Sequence, residues 1–429
     1  MRTQRDRRLF ASVVAAFALC LSLSAYSQEQ KAPLAKHEPG TEQLISAVEH
    51  NADLKKMLVA SIEAAKKINS DRVMNPAQTL EEYYLFMDWA AKAMPWSILP
   101  NLPYPKLYEQ IDQSLDYFYF INDQPLGELK DKGYYNNSLQ YYEPYRTWMV
   151  GFVKSWGLYL SKEISWNEQY YLKALADERF GLQKGWYEDH KNWKTFNQFF
   201  ARYLKSPDQR PIASPGDPSV VSSPADAKAQ GTWKIDKNSN IVGAAGVRIK
   251  SNIFKSIAVL LGEGSKYQTA FANGTLTHTF LDVNDYHRYH FPIGGTIKEV
   301  RVIESDDAAG GITTWSPKDK KYVLQSKEPG WQNIETRGCV IVETKEYGLV
   351  AVLPIGMSQV SSVNFEKSVT EGKTLNKGEM LGFFLFGGSD IVMLFQSKVD
   401  FQLTVPKDGS GGYKHVLMGE EYGRIKTRK

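Results

Sequence analysis

The chain has 429 residues, 42% hydrophobic and 23% charged, with a net charge of +4. This is an ordinary globular composition that can bury a core, and so small a charge argues against a nucleic-acid footprint, which needs a concentrated basic face. The 24 Tyr, 20 Phe and 10 Trp point to aromatic core packing before a membrane-facing or stacking surface.

The first predicted element is a targeting segment, residues 1–27. Arg2, Arg5, Arg7 and Arg8 precede the uncharged apolar run Leu9 to Leu23, and Ala25-Tyr26-Ser27 fits a small-x-small cleavage site. The run is short for a transmembrane span, and an uncleaved anchor is the alternative. Leu19 stands before Cys20 where a lipidation site wants a small residue. Removal of the segment leaves Cys339 alone, which excludes an internal disulfide and reads as a buried strand residue in GCVIVET. The expectation is an exported protein, soluble or membrane-associated, and periplasmic if the source is Gram-negative.

Residues 28–40 are polar with two prolines and read as a disordered tether. From residue 41 to about 205 the pattern is helical. Leu54, Leu58, Ile62 and Ala65 share one helix face, as do Tyr145, Trp148, Phe152, Trp156 and Tyr159. The aromatic stripe reads as helix core before a ligand box. Ser206 to Asp226 is rich in Pro, Ser, Gly and Asp and suits an extended loop. Beyond it, short β-branched runs separated by glycine turns make 206–429 strand-rich. The fold class is α+β, a helical N-terminal domain followed by a β-rich one.

Three features carry candidate chemistry. His287 and His290 sit three apart in FLDVNDYHRYHFPIGG, flanked by Asp285 and Arg288. Pro292 and two glycines follow at once and no Glu or Cys completes a ligand set, so acid–base work or loop packing is preferred to metal binding. Asp226 in SSPAD reads as a turn residue on its own. Ser389 breaks the apolar string FLFGGSDIVMLF after Gly387 and Gly388 and reads equally as a turn hydroxyl. Together a serine, a histidine and an aspartate are what nucleophilic activation requires. The residues alone leave these alternatives open.

The strings together resemble the phosphatidylserine decarboxylase family of pyruvoyl enzymes. FNQFFARYLK followed by RPI (Phe196 to Ile212) is similar to the family's entry segment, and SSPAD to its Pro-x-Asp element. FANGTLTHTFLDVNDYHRYHFPIGGTI (Phe271 to Ile297) resembles its NGT and DYHR-x-H-x-P signature. KGEMLGFFLFGGS (Lys377 to Ser389) resembles the block that ends in a Gly-Ser cleavage site. The helical region resembles, more weakly, the associated N-terminal domain of longer members, among them pyruvoyl-type fungal decarboxylases of aromatic amino acids.

The resemblance implies a catalytic domain over 206–429 with barrel-sandwich-hybrid-like elements, self-cleaved between 388 and 389. Ser389 is then the nucleophile that attacks the carbonyl of Gly388, His290 its base, and Asp226 the group that orients His290. The amide becomes an ester; elimination and loss of ammonia leave a pyruvoyl group on the former Ser389 as the covalent cofactor. His287 is the implied proton donor in decarboxylation, and no metal is required. The implied substrate is phosphatidylserine, giving phosphatidylethanolamine, with peripheral membrane contact and a homodimer as further expectations. A free amino acid substrate is the alternative, and an uncleaved, non-catalytic relative a second one. Asp390 departs from the family, which commonly has Thr or Ser there, and a carboxylate beside the scissile bond opposes a developing oxyanion unless it points away.

Overall fold

Helices come first in the chain because their apolar residues recur at the helical period and their ends carry capping residues. In the computed structural model, α1 (Pro39–Glu49), α2 (Ala52–Ile68), α3 (Leu80–Ala90), α4 (Gln113–Asn122), α5 (Tyr145–Tyr159), α6 (Glu168–Ala176) and α7 (Phe196–Phe200) precede the strands. The structure describes residues 37–92, 104, 107, 113–249, 252–304, 312–357, 362–387 and 389–428. The expected targeting segment 1–27, most of the tether 28–40, and Gly388 lie outside these described residues.

Asn51 starts α2 by accepting from the Leu54 amide, and Thr79, Asn167 and Thr195 do the same for α3, α6 and α7. The face of α2 carrying Leu54, Leu58, Ile62 and Ala65 is buried, as the spacing predicts. The α5 stripe of Tyr145, Trp148, Phe152 and Trp156 is core as well. Helix α4 is buried on nearly all sides, so it forms the centre of the helical part.

The strands follow as β1 (Val220–Ser222), β2 (Ala227–Lys234), β3 (Val247–Ile249), β4 (Asn252–Phe254), β5 (Thr275–Leu281), β6 (Arg288–His290), β7 (Gly295–Ile303), β8 (Ile312–Ser316) and β9 (Lys321–Gln325). A short helix α8 (Ile257–Leu261) interrupts them. The second half holds β10 (Thr336–Thr344), β11 (Gly348–Gly356), β12 (Val363–Phe365), β13 (Thr374–Leu375), β14 (Met380–Phe384), β15 (Ser389–Phe395), β16 (Val399–Leu403), β17 (His415–Val416) and β18 (Glu421–Thr427).

Eight strands make one antiparallel sheet in the order β13-β7-β10-β11-β15-β5-β2-β17. The α+β reading holds. Among the described strands this sheet is open, with β13 and β17 at its edges, and does not close into a barrel. Three-stranded sheets β12-β14-β6 and β1-β18-β16 complete the frame that matters for the site.

Each face of the large sheet has its own core. Ile391, Met393 and Phe395 of β15 join the core that includes the helices, whereas Val392 and Leu394 join a second core with Leu260, Leu261 and Trp331. This is the period-two alternation of a strand buried on both sides. The expected boundary at 205/206 marks the change from helices to strands, and packing runs across it, since residues 39–429 form one compact unit.

The β8–β9 hairpin is held by the helices through Tyr322. Gln113 of α4 brackets its backbone, accepting from the Tyr322 amide at 2.7 Å and donating to its carbonyl at 3.0 Å. The Tyr322 hydroxyl donates to the Met74 carbonyl at 2.8 Å and accepts from Asn69 Nδ2 at 3.0 Å. Loss of a buried hydroxyl leaves both partners short of a bond. Tyr322→Phe is therefore expected to lower the unfolding free energy by about 1–3 kcal/mol, seen as a lower urea midpoint at unchanged slope.

Candidate active site

Ser389 is the first residue of β15, paired with Gly356 of β11 on one side and Leu281 of β5 on the other. It is fully buried, and its Oγ has no hydrogen-bond partner among the described residues. An orphaned buried hydroxyl costs about 1–3 kcal/mol and asks for an explanation; the hydroxyls of Thr275 and Thr279 on β5 are orphaned in the same way. By strand alternation Ser389 faces the same core as Ile391, the core that also holds Tyr286, Phe291 and Phe386.

The histidines reach this core through β6. Strand β14 pairs with β6, placing Met380 opposite His290, and the Phe384 amide donates to the His287 carbonyl at 2.9 Å. Strand β14 ends at Phe384 and β15 opens at Ser389. Nδ1 of His290 donates to the Gly378 carbonyl at 2.8 Å, which leaves Nε2 as acceptor for the Tyr286 hydroxyl at 3.2 Å. Burial lowers its pKa to about 4, against the smaller opposing pull of the Gly378 bond and of Asp226. The imidazole is thus neutral at neutral pH with its lone pair on Nε2, the state a general base needs.

His287 is also neutral. Its Nδ1 donates to the Asp285 carbonyl at 2.9 Å, and its ring stacks on Phe200 at 3.7 Å. Burial holds its pKa well below the usual histidine range, and the Arg202 guanidinium lowers it further.

Asp226 does not hydrogen-bond His290 as expected. It takes two bonds from Arg210, Nε to Oδ1 at 2.9 Å and Nη2 to Oδ2 at 2.6 Å, and a third from the Met418 amide at 2.7 Å. A buried guanidinium offers two parallel donors, which a carboxylate takes in preference to one imidazole. Asp226 reaches His290 through its charge and its chain: the His290 amide donates to the carbonyl of Pro224, two residues before it. The direct orienting partners of His290 are Gly378 and Tyr286.

Several contributors were not singled out from the sequence. Arg202, fully buried, donates from Nη2 to the carbonyls of Asn284 and Asp285 at 2.9 and 3.0 Å, fixing the turn that holds His287. Asn197 of α7 accepts from the Phe386 amide at 2.9 Å, and donates to Ser161 Oγ at 2.8 Å. Phe386 meets Phe196 and Phe200 edge-on, with centroids 5.4 and 5.3 Å apart. The helical part therefore grips the segment leading into Ser389. An Arg in a run of aromatics and an Asn beside a helix cap carry no local signal of such roles. Asp285, read as a flank, pairs its buried Oδ1 with His415 Nε2 at 2.8 Å.

Asp390 points away from the Ser389 side, on the face of Val392 and Leu394. Its Oδ1 lies 3.0 Å from His278 Nδ1, and its Oδ2 accepts from Gln332 Nε2 at 3.0 Å. Among the described residues, no group of three or more His, Cys, Asp or Glu side chains is placed to hold a metal ion, and no helix is long and apolar enough to cross a membrane.

Residues 196–424 match the phosphatidylserine decarboxylase family. Among individual proteins, the chain is 26% identical over 307 residues to "Decarboxylase iboD" of Amanita muscaria, covering 66% of this chain and 84% of that protein. It is 31% identical over 251 residues to a phosphatidylserine decarboxylase proenzyme of Alcanivorax borkumensis, covering 56% and 81% respectively. It is 33% identical over 206 residues to phosphatidylserine decarboxylase proenzyme 2 of Oryza sativa subsp. japonica, where the match spans 30% of that longer protein.

The neutral state of His290 has a measurable consequence. Folded, it titrates near 4, against 6.5 for the free side chain. Between these values the unfolded chain binds more protons, so stability falls as pH falls, by up to ~1.4 kcal/mol per pH unit. In a Ser389→Ala background, the stability advantage of the native chain over His290→Gln is expected to shrink from pH 6.5 to pH 4.5. Urea unfolding at both pH values measures it; an advantage independent of pH would show that His290 titrates normally.

Proposed function

The chain belongs to the phosphatidylserine decarboxylase family, a family of carboxy-lyases, and we propose that it is a pyruvoyl-dependent decarboxylase that makes its own cofactor by serinolysis between Gly388 and Ser389. The proposed substrate is phosphatidylserine and the product phosphatidylethanolamine. The observation that carries this reading is the buried, unpartnered Oγ of Ser389 at the start of a strand, in the core that receives two neutral histidines.

The residues present fit a group formed at position 389. His290 Nε2 takes the hydroxyl proton as Oγ attacks, once the Tyr286 hydroxyl yields its place there. Arg210 and the Met418 amide hold the Asp226 carboxylate, two residues after the Pro224 carbonyl that bonds the His290 amide. When formed, the pyruvoyl carbonyl supplies an electron sink for a substrate amine that loses carbon dioxide. His287 Nε2 holds a lone pair in dry surroundings, so it accepts the proton that an ammonium substrate sheds and returns it to carbon after carbon dioxide leaves. Phe200 and Arg202 hold that ring in place. The apolar wall of Phe196, Phe200 and Phe386 excludes water, which favours loss of the carboxylate charge. The basic and apolar N-terminal run supports export to the periplasm or a membrane surface as the place of action.

A second reading is decarboxylation of a free amino acid. The similarity to "Decarboxylase iboD" covers more of the chain than the family segment can supply, so it extends into the helical part. A groove of about 430 Å³, lined in part by Thr195, Asn197, Ala201, Arg288, Phe383 and Leu385, opens beside the segment before Ser389. A small substrate fits such a groove whole, whereas a diacyl lipid places only its headgroup there.

Denaturing electrophoresis of the purified protein is expected to give two chains, the smaller one blocked at its N-terminus, and Ser389→Ala a single chain. One intact chain in both sinks the proposal. His290→Ala is expected to stay uncleaved. His287→Ala should cleave yet lose decarboxylation by 10²-fold or more, the usual range for a proton-transfer group. Carbon dioxide release from phosphatidylserine vesicles against free serine, tyrosine and tryptophan decides between the substrates.

A further inference from the structure

Asp390 is a carboxylate with no solvent exposure, set one residue after Ser389 on an otherwise apolar strand face. Burying such a charge costs several kcal/mol unless its partners are complete. Here they are complete. His278 of β5 sits diagonally across the strand pair, opposite Val392, and offers Nδ1 to Asp390 Oδ1 at 3.0 Å. Nε2 of the same ring faces the Lys327 carbonyl at 2.9 Å. Both ring nitrogens therefore face an oxygen. Gln332 donates to Asp390 Oδ2 at 3.0 Å while its own oxygen accepts from the Gly330 amide at 2.8 Å. Trp233 covers the imidazole, with centroids 5.1 Å apart. Two separate segments thus converge on the carboxylate, and each polar atom of the carboxylate and the imidazole has a partner.

The position of this cluster matters because of what the proposed cleavage does to the chain. Before cleavage, residue 389 is held from both directions. After it, residue 389 becomes the end of a chain of 41 residues, 389–429, and strand ends fray unless tied down. A slip of one residue in β15 exchanges its two faces, which would carry residue 389 out of the histidine core.

On the serinolysis reading above, we propose that Asp390 is a positioning residue: its closed network with His278 and Gln332 pins the new chain end so that residue 389 keeps to the strand face of Ile391. With Asn in its place one acceptor oxygen becomes an NH2, so the two bonds from His278 and Gln332 can no longer both be accepted and one amide N–H is left over.

The test compares Asp390→Asn with the parent chain, each also in the uncleavable Ser389→Ala background. Hydrogen exchange is read by mass spectrometry on peptides spanning 390–395 and, as an internal reference, 336–344. The expected result is normal cleavage in Asp390→Asn and at least tenfold faster exchange at 390–395 in the cleaved protein. The 336–344 reference should be unchanged, and the acceleration absent or small in the Ser389→Ala background. Carbon dioxide release per carbonyl-bearing small chain is expected to fall at least tenfold. Equal acceleration in cleaved and uncleaved proteins would make Asp390 an ordinary structural group and overturn the proposal, as would unchanged exchange in the cleaved protein. Loss of cleavage in Asp390→Asn overturns it too, by moving the role to the step before the cut. Failure of the parent chain to cleave is a different result: it removes the serinolysis reading itself. Should Asp390→Asn not fold, Gln332→Leu takes one donor and leaves the charge pair, and the same contrast between cleaved and uncleaved proteins decides.

Discussion

The site hangs on the register of β15 between β11 and β5. Strand alternation alone sends residue 389 to the core shared with the helices and residue 390 to the other. The same geometry resolves why a string that ought to be a plain buried strand contains a hydroxyl and a carboxylate side by side. They are neighbours in sequence and face opposite ways, so the charge of Asp390 is spent on His278 and Gln332 and kept from the Ser389 side. A β-bulge at this point would destroy both arrangements at once, and the register from Ser389 to Phe395 runs without one.

Around Ser389 the electrostatic design is one of withheld charge. Burial keeps both histidines neutral, and each Nδ1 is committed to a backbone carbonyl, which fixes the tautomer and turns Nε2 into the working atom. The guanidinium of Arg202 sits where it can repel a proton from His287, and the carboxylate of Asp226 sits where it slightly favours one on His290. Arg288 and Arg210 work against that bias at His290, and burial dominates at both rings. Neutralising Asp226 with Arg210 keeps that bias small, since an unpaired buried carboxylate would pull a proton onto His290 outright.

Much of this was legible in the sequence, and the part that was not has a common cause. The helical stripe of α5 and the apolar face of α2 follow from spacing, and the strings around Ser389, His287, His290 and Asp226 single those residues out as candidates. The partner of Asp226 was not, because Arg210 sits in a loop whose course only the fold determines. His278 lies in a strand reading TLTHTFL, where an isolated histidine signals nothing; its meaning comes from Val392 standing opposite it. Asn197 and Arg202 are legible as part of a motif but not as contacts, since each reaches across more than eighty residues of sequence to the segment it holds. Asp226 bonds Arg210, and not the His290 ring, for a related reason. A residue list names possible partners, while a buried carboxylate chooses the strongest donor set within reach.

The helical part changes meaning in this light. On the proposed serinolysis, an unsupported run between Phe384 and Ser389 would pay the entropy of ordering at each encounter of the reacting groups. Here the turn after α5 holds α7 through Ser161 and Asn197, and the Asn197 side chain holds the Phe386 amide. Phe196 and Phe200 then close on the Phe386 ring, while Phe200 also backs His287. One aromatic residue is therefore shared between the wall of the loop and the seat of the histidine. A change in helix packing must reach both together, which makes the helices a component of the site and ties whatever substrate preference they impose to the geometry of the reacting groups.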